Sequence, residues 1–148
     1  MTRLNWQEIA PDGAKALFGI YHYITHKTNL PEELVHLVFL RVSQINGCAH
    51  CIDMHSRDLR KIMSIDKITL LPVWDEVHSL FSEQERAALA WTEEVTNVSE
   101  THASDEAYTL ASAYFTPKDL VDLTIAIAAM NAFNRLGAPF RLPVAATS

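Results

Sequence analysis

The sequence predicts a single all-α domain, and three observations carry that reading. Signatures that open helices, a Ser, Thr or Pro followed by acidic residues, recur along the chain. No stretch alternates apolar and polar residues with period two between hairpin turns, as half-buried strands require. The 148 residues are 49% hydrophobic, enough to bury one ordinary core without disulfide or metal staples, so residues 1–148 are expected to form a single domain.

The elements follow in chain order. A first helix is expected after Asp12-Gly13 and runs to about Lys27. A second starts near Pro31, where the fixed proline φ suits a first turn and Glu32 and Glu33 sit at the positive end of the helix dipole. Its body, Leu34 to Ile45, is apolar nearly all round, which places it at the centre of the domain or in a subunit interface. Asn46-Gly47 breaks the chain. A third helix then runs from about Cys48 to Met63, with Asp53, Arg57, Arg60 and Lys61 on its solvent side and Asp53 one turn from Arg57. Between Ser64 and Ser82, Pro72 limits any helix to short pieces. Ser82-Glu83-Gln84-Glu85 is a capping box that opens a helix to about Ser99, and Ser104-Asp105-Glu106 opens another that ends near Phe115. Thr116-Pro117-Lys118-Asp119 starts the last helix, which carries Leu120 to Phe133 and ends near Gly137, ahead of Pro139.

Composition excludes several functions. A formal charge of −6 with no long Lys/Arg run leaves no basic surface to displace counterions from nucleic-acid phosphates. The segment Met1 to Glu8 lacks the apolar core of a secretory signal, and charged or amide residues interrupt every later apolar stretch. A cytoplasmic protein without membrane partners is expected. The chain has two cysteines, three positions apart, and in a reducing compartment such a pair points to catalysis or metal binding.

Those cysteines lie in Cys48-Ala49-His50-Cys51-Ile52-Asp53-Met54-His55. On a helix beginning at Cys48, Cys51 follows at i+3 and His55 at i+4 from Cys51, so all three share one face. The two Cα atoms are then roughly 5 Å apart, within the ~4.4–6.8 Å range of disulfides. A free thiol is only about 3% thiolate at neutral pH, but a helix N-terminus or an adjacent imidazolium raises that fraction. His50 and His55 flank the pair, and either can take the thiol proton and return it to a leaving oxygen. The pattern indicates a thiol redox enzyme. Two alternatives stand beside it: the cysteines pack merely as small hydrophobes, or Cys48 and Cys51 bind structural zinc with two histidines, His22 and His26 also being one helical turn apart. His22, His26, His78 and His102 otherwise read as surface or satisfied histidines.

The stretch Leu40 to His55 resembles the AhpD-like alkylhydroperoxidases of the carboxymuconolactone decarboxylase family, and the likeness extends to Glu85–Glu93 and Leu120–Arg135. The resemblance implies an all-helical domain assembling into homotrimers or homohexamers. It also implies a peroxidase that reduces hydrogen peroxide or organic hydroperoxides without a cofactor, drawing electrons from a dithiol donor such as a lipoylated protein. In such enzymes the second cysteine, here Cys51, attacks the peroxide and becomes a sulfenic acid, with which the first, Cys48, condenses. Proximity to the helix N-terminus alone would favour Cys48 as nucleophile. The decarboxylase branch of the family does not depend on a Cys-x-x-Cys pair, so both thiols point to the peroxidase branch; a redox sensor remains the non-catalytic reading. One position departs from the pattern. The relay glutamate expected twelve residues before the first cysteine is here His36, with Glu33 and Glu32 about one turn away on the same face. His36 is either a relay histidine or a buried histidine among Val35, Leu37 and Val38.

Overall fold

The computed structural model describes residues 1–145, and every regular element in that range is helical. Residues 146–148 of the expected domain lie outside the described residues. The order is α1 (Trp6–Ile9), α2 (Pro11–His26), α3 (Glu32–Asn46), α4 (Ala49–Leu59), α5 (Ile65–Leu70), a 3-10 segment (Leu71–Glu76), α6 (Glu83–Thr96), α7 (Val98–Thr101), α8 (Asp105–Ser112) and α9 (Pro117–Gly137).

Local chemistry sets most of these boundaries. Ser82 caps α6 in a reciprocal box, its hydroxyl accepting from the Glu85 N–H while the Glu85 carboxylate accepts from the Ser82 N–H, both at 3.1 Å. Ser104 and Thr116 cap α8 and α9 through the N–H groups of Ala107 and Asp119, each at 3.2 Å. Pro11 and Pro117 occupy first turns. Pro31 instead precedes α3 as its cap, with an extended ψ of 138°. Helix α4 stops at Leu59, short of the expected Met63, because the backbone tightens into turns and Ser64 is needed as the cap of α5. Gly13 sits inside α2, which begins two residues before it, since a glycine is tolerated once Pro11 has set the first turn.

Helix α3 is the axis of the molecule and packs against α4, α6 and α9. Val35, Val38, Phe39 and Val42 enter one apolar cluster with α2, α6, α8 and α9, while Leu37 and Leu40 enter a second with Leu59, Ile68, Leu71, Trp74, Phe81 and Leu89. A helix that feeds two cores must be apolar on opposite faces, which decides the question left open by its sequence in favour of the centre of the chain's own core. Each of these side chains, fully buried, contributes about 1.5–3 kcal/mol relative to exposure.

Polar ties orient the helices. The Arg41 guanidinium donates to Glu93 at 2.8 and 3.1 Å, and the Trp74 indole N–H donates to the same carboxylate oxygen at 2.9 Å, joining α3, α6 and the 3-10 segment. Asn46 donates to Asn131 and Asn134 of α9 at 2.9 and 3.0 Å, and Asn134 donates to Ser43 at 3.0 Å. Among the described residues, no helix is long and apolar enough to cross a membrane.

Candidate active site

The amide network between α3 and α9 holds the turn that delivers the cysteines. Gly47 closes α3 in the left-handed region at φ 68°, a conformation glycine adopts without Cβ strain, and the Cys48 N–H returns to the Ser43 carbonyl at 3.1 Å. Cys48 is then the N-cap of α4, its sulfur accepting from the Cys51 N–H at 3.4 Å. Cys51 sits in the first helical turn. The two are joined as a disulfide with a Cα–Cα separation of 5.3 Å, as the helical spacing predicts. Gly137, near the end of α9, faces both sulfurs: a Cβ at that position would lie 2.8 Å from the Cys48 sulfur and 3.2 Å from that of Cys51. A close approach of backbone to the disulfide is thus the reason for glycine there.

Both cysteines are buried, Cys48 with 0% and Cys51 with 3% of its surface exposed, and they differ in what they border. Cys51 lines a cleft of about 210 Å³ whose other walls include Trp6, Phe18, Tyr21, Met54, Met130 and Phe133, and Cys48 is not among the lining residues. The aromatic wall is mutually packed, with Phe18 and Phe133 ring centroids 5.6 Å apart and Trp6 6.0 Å from Phe18. Short helix α1, which carries no helix signal beyond its apolar Trp6 and Ile9, thereby supplies a wall of the cleft. His50 also lines it, and its Nδ1–H donates to the Pro143 carbonyl, which leaves Nε2 as the ring nitrogen free of that bond.

His55 lies one turn beyond Cys51 and has no exposed surface. Neither ring nitrogen has a hydrogen-bond partner among the described residues. Its neighbours are the rings of Phe39 and His36, with centroids at 5.3 and 6.4 Å. Burial pushes its pKa down from 6.5 to about 4, with His36 reinforcing the fall, Asp58 opposing it and His50 adding to it. At neutral pH His55 is therefore a neutral imidazole.

His36 projects from α3 with only 12% of its side chain exposed, its Nε2 4.0 Å from the Glu32 carboxylate. Its Nδ1 is buried without a partner. Of the two glutamates one turn away, Glu32 is the one that faces the ring. A third group joins the histidines: one ligand-type atom each from His36, His55 and Asp58 lie within 4.8 Å of one another. Sequence reasoning passed over Asp58, although its spacing of i+3 from His55 and i+7 from Cys51 sets it on the same face of α4. Tyr21 stands between this cluster and the cleft, its hydroxyl pKa raised by burial and by the negative charge of Asp58. Asp53 and Arg57 form the expected one-turn ion pair at 3.0 Å. His22 and His26 are exposed, stacked on each other at 4.3 Å, and do not join a ligand cluster with the cysteines.

Comparison with other proteins gives the same picture of the chain. The model of the carboxymuconolactone decarboxylase family matches residues 11–94. The uncharacterized protein YdfG of Bacillus subtilis (strain 168) is 35% identical over 135 residues, covering 90% of each chain. A crystal structure of an Agrobacterium tumefaciens protein of unknown function, with a suggested role as the antioxidant-defence protein AhpD, superposes with a TM-score of 0.92 at 38% identity over 97% of both chains. A debrominase in complex with 2,3,4-tribromopyrrole shares the fold at a TM-score of 0.80 and 22% identity, over 94% of this chain and 74% of that one.

Proposed function

Because the chain belongs to the carboxymuconolactone decarboxylase family and carries an AhpD-like Cys-x-x-Cys pair, we propose that it is a thiol-dependent peroxidase acting on hydroperoxides through Cys48 and Cys51. The observation that carries this reading is the asymmetry of the pair: Cys51 borders an apolar cleft, whereas Cys48 is fully enclosed behind it. An incoming hydroperoxide meets Cys51 first. The Cys51 thiolate attacks the O–O bond, a sulfur–oxygen bond forms, and the alcohol or water leaves with a proton supplied by the site. The Cys48 thiol then displaces the sulfenic oxygen as water, closing the disulfide, and an external dithiol reduces it to complete the cycle.

Neutral His55 is the group that accepts the Cys51 proton and passes it to the departing oxygen. Its low basicity is offset once it is protonated beside a thiolate, and Asp58 acts in the same direction. His36, in ring contact with His55, links the relay toward solvent, and His50 at the cleft is a second proton carrier. The aromatic lining favours organic hydroperoxides over hydrogen peroxide. We further propose a cytoplasmic homotrimer or homohexamer served by a dithiol donor such as a lipoylated protein.

Steady-state consumption of hydrogen peroxide, tert-butyl hydroperoxide and cumene hydroperoxide, with dihydrolipoamide or thioredoxin as reductant, tests the reading beside the Cys48→Ser/Cys51→Ser double variant. Turnover abolished in the double variant supports it. A single stoichiometric oxidation without turnover would instead identify a redox sensor.

A further inference from the structure

The cluster at the α3–α4 contact is built for an occupant that the peroxidase cycle does not require. His36, His55 and Asp58 each offer one ligand atom, and these atoms lie within 4.8 Å of one another. No hydrogen bond joins them: both nitrogens of fully buried His55, and Nδ1 of His36, lack partners among the described residues. A buried polar atom left unpaired costs about 1–3 kcal/mol, so three in one place ask for partners, and the one lone pair that each neutral ring carries can be met by a cation. Two imidazoles and one carboxylate are the donors that borderline divalent metals take, with bonds of roughly 2.0–2.2 Å. Small side-chain rotations draw atoms already this close onto one centre. A cavity of about 300 Å³ bordered by Tyr21, Glu32 and His36 gives an ion a path from solvent, with the exposed Glu32 carboxylate 4.0 Å from His36 Nε2 at its side.

We propose that His36, His55 and Asp58 form a binding site for a divalent first-row transition metal of the zinc type, and that its occupancy silences the thiol site. The donor set is distinct from the cysteine-based zinc site considered from the sequence, and it gives the histidine at position 36 a role that the glutamate of the family pattern would fill with different chemistry. The second half of the proposal rests on the peroxidase reading: a lone pair of His55 held by a metal cannot accept the Cys51 proton.

Binding is measured first in the Cys48→Ser/Cys51→Ser protein, untagged, so that thiolates cannot compete. Calorimetry with Zn2+ and absorption with Co2+ should show one ion per chain. His36→Leu should abolish binding, and Asp58→Asn, which preserves size, should weaken it by more than the roughly 10–100-fold typical of losing an outer partner of a metal ligand. The metal should also raise the melting temperature of the parent protein and leave that of Asp58→Asn unchanged, which separates loss of a ligand from loss of the fold. No binding, or binding that survives both substitutions, overturns the site. With both cysteines restored, Zn2+ should arrest peroxide turnover reversibly, and the turnover that Asp58→Asn keeps without metal should resist it, each rate being read as a fraction of the same protein's metal-free rate. Equal inhibition of both would assign the effect to the thiols and overturn the silencing. Binding without any peroxidase turnover would leave the site standing and remove the peroxidase reading, whereas turnover without binding would do the reverse.

Discussion

Acidification offers the sharpest test of the environment assigned to His55. In the unfolded chain its imidazole protonates near 6.5, and in the folded protein burial lowers that value to about 4. Between those two values the unfolded state binds more protons, so stability must fall as pH drops from above 6.5 toward 4 and rise again on return. At about 1.4 kcal/mol for each pH unit of separation, the full loss is about 3 kcal/mol from this one side chain. That is a large part of the ~5–15 kcal/mol by which domains of this size are held folded. The variant His55→Leu removes the titrating ring and its two unpartnered nitrogens while filling similar volume beside Phe39. Urea unfolding of the oxidised parent and variant at pH 7.5 and near pH 4, with chelator present, gives the two pH dependences; their difference cancels the carboxylates and histidines that do not interact with His55. The variant should be at least as stable as the parent at pH 7.5 and more stable by about 3 kcal/mol at the acid end. Parallel stability curves for the two proteins would refute the burial argument.

Three further outcomes follow from the geometry. Cys51→Ser should abolish peroxide reduction and sulfenic-acid labelling, while Cys48→Ser should retain a trappable sulfenic acid; labelling that persists only in Cys51→Ser would reverse the roles. Gly137→Ala places a Cβ 2.8 Å from the Cys48 sulfur, and the crowding should cost about 1–3 kcal/mol in the oxidised protein, visible in its thermal melt; an unchanged melt would show that the helix end can draw back. The self-association expected of an AhpD-like protein should bury the exposed face of α9 at Val121 and Ala128, so light scattering at micromolar concentration should give a multiple of three chains, and Val121→Arg should reduce it; a monomeric parent would contradict this.

The fold was readable where one local device decides the backbone. Ser82, Ser104 and Thr116 each opened a helix at the expected residue, because a hydroxyl that accepts from the third N–H is a local bond independent of the rest of the chain. Helix α3 was readable as a buried element from its all-round apolarity, but its two alternatives, centre or interface, differ only in what surrounds it, and sequence does not record surroundings. The region from Ser64 to Ser82 resolved into α5 and a 3-10 segment that Pro72 permits but does not specify. There Leu71 and Trp74 are held by packing under α3, a tertiary constraint with no local signature.

The site divides along the same line. Cys48, Cys51 and His55 were legible together because helical spacing alone aligns them. Gly137 carried no legible role, since it ends one helix and acts on Cys48 and Cys51 at the start of another, 89 and 86 residues away, through space that a side chain would fill. His36 stood between two readings in the sequence, relay or packed histidine, and its environment is a combination of features: the ring is largely buried against Phe39, one nitrogen lacks a partner among the described residues, and the ring neighbours His55. Asp58 changes what that combination means. A histidine facing a histidine in an apolar interior is a poor arrangement, because His36 disfavours protonation of the His55 ring; a carboxylate within 4.8 Å of both opposes that effect and supplies the negative charge that a bound cation needs there. Removing that carboxylate while keeping its shape, as Asp58→Asn does, therefore reaches the two histidines without touching either.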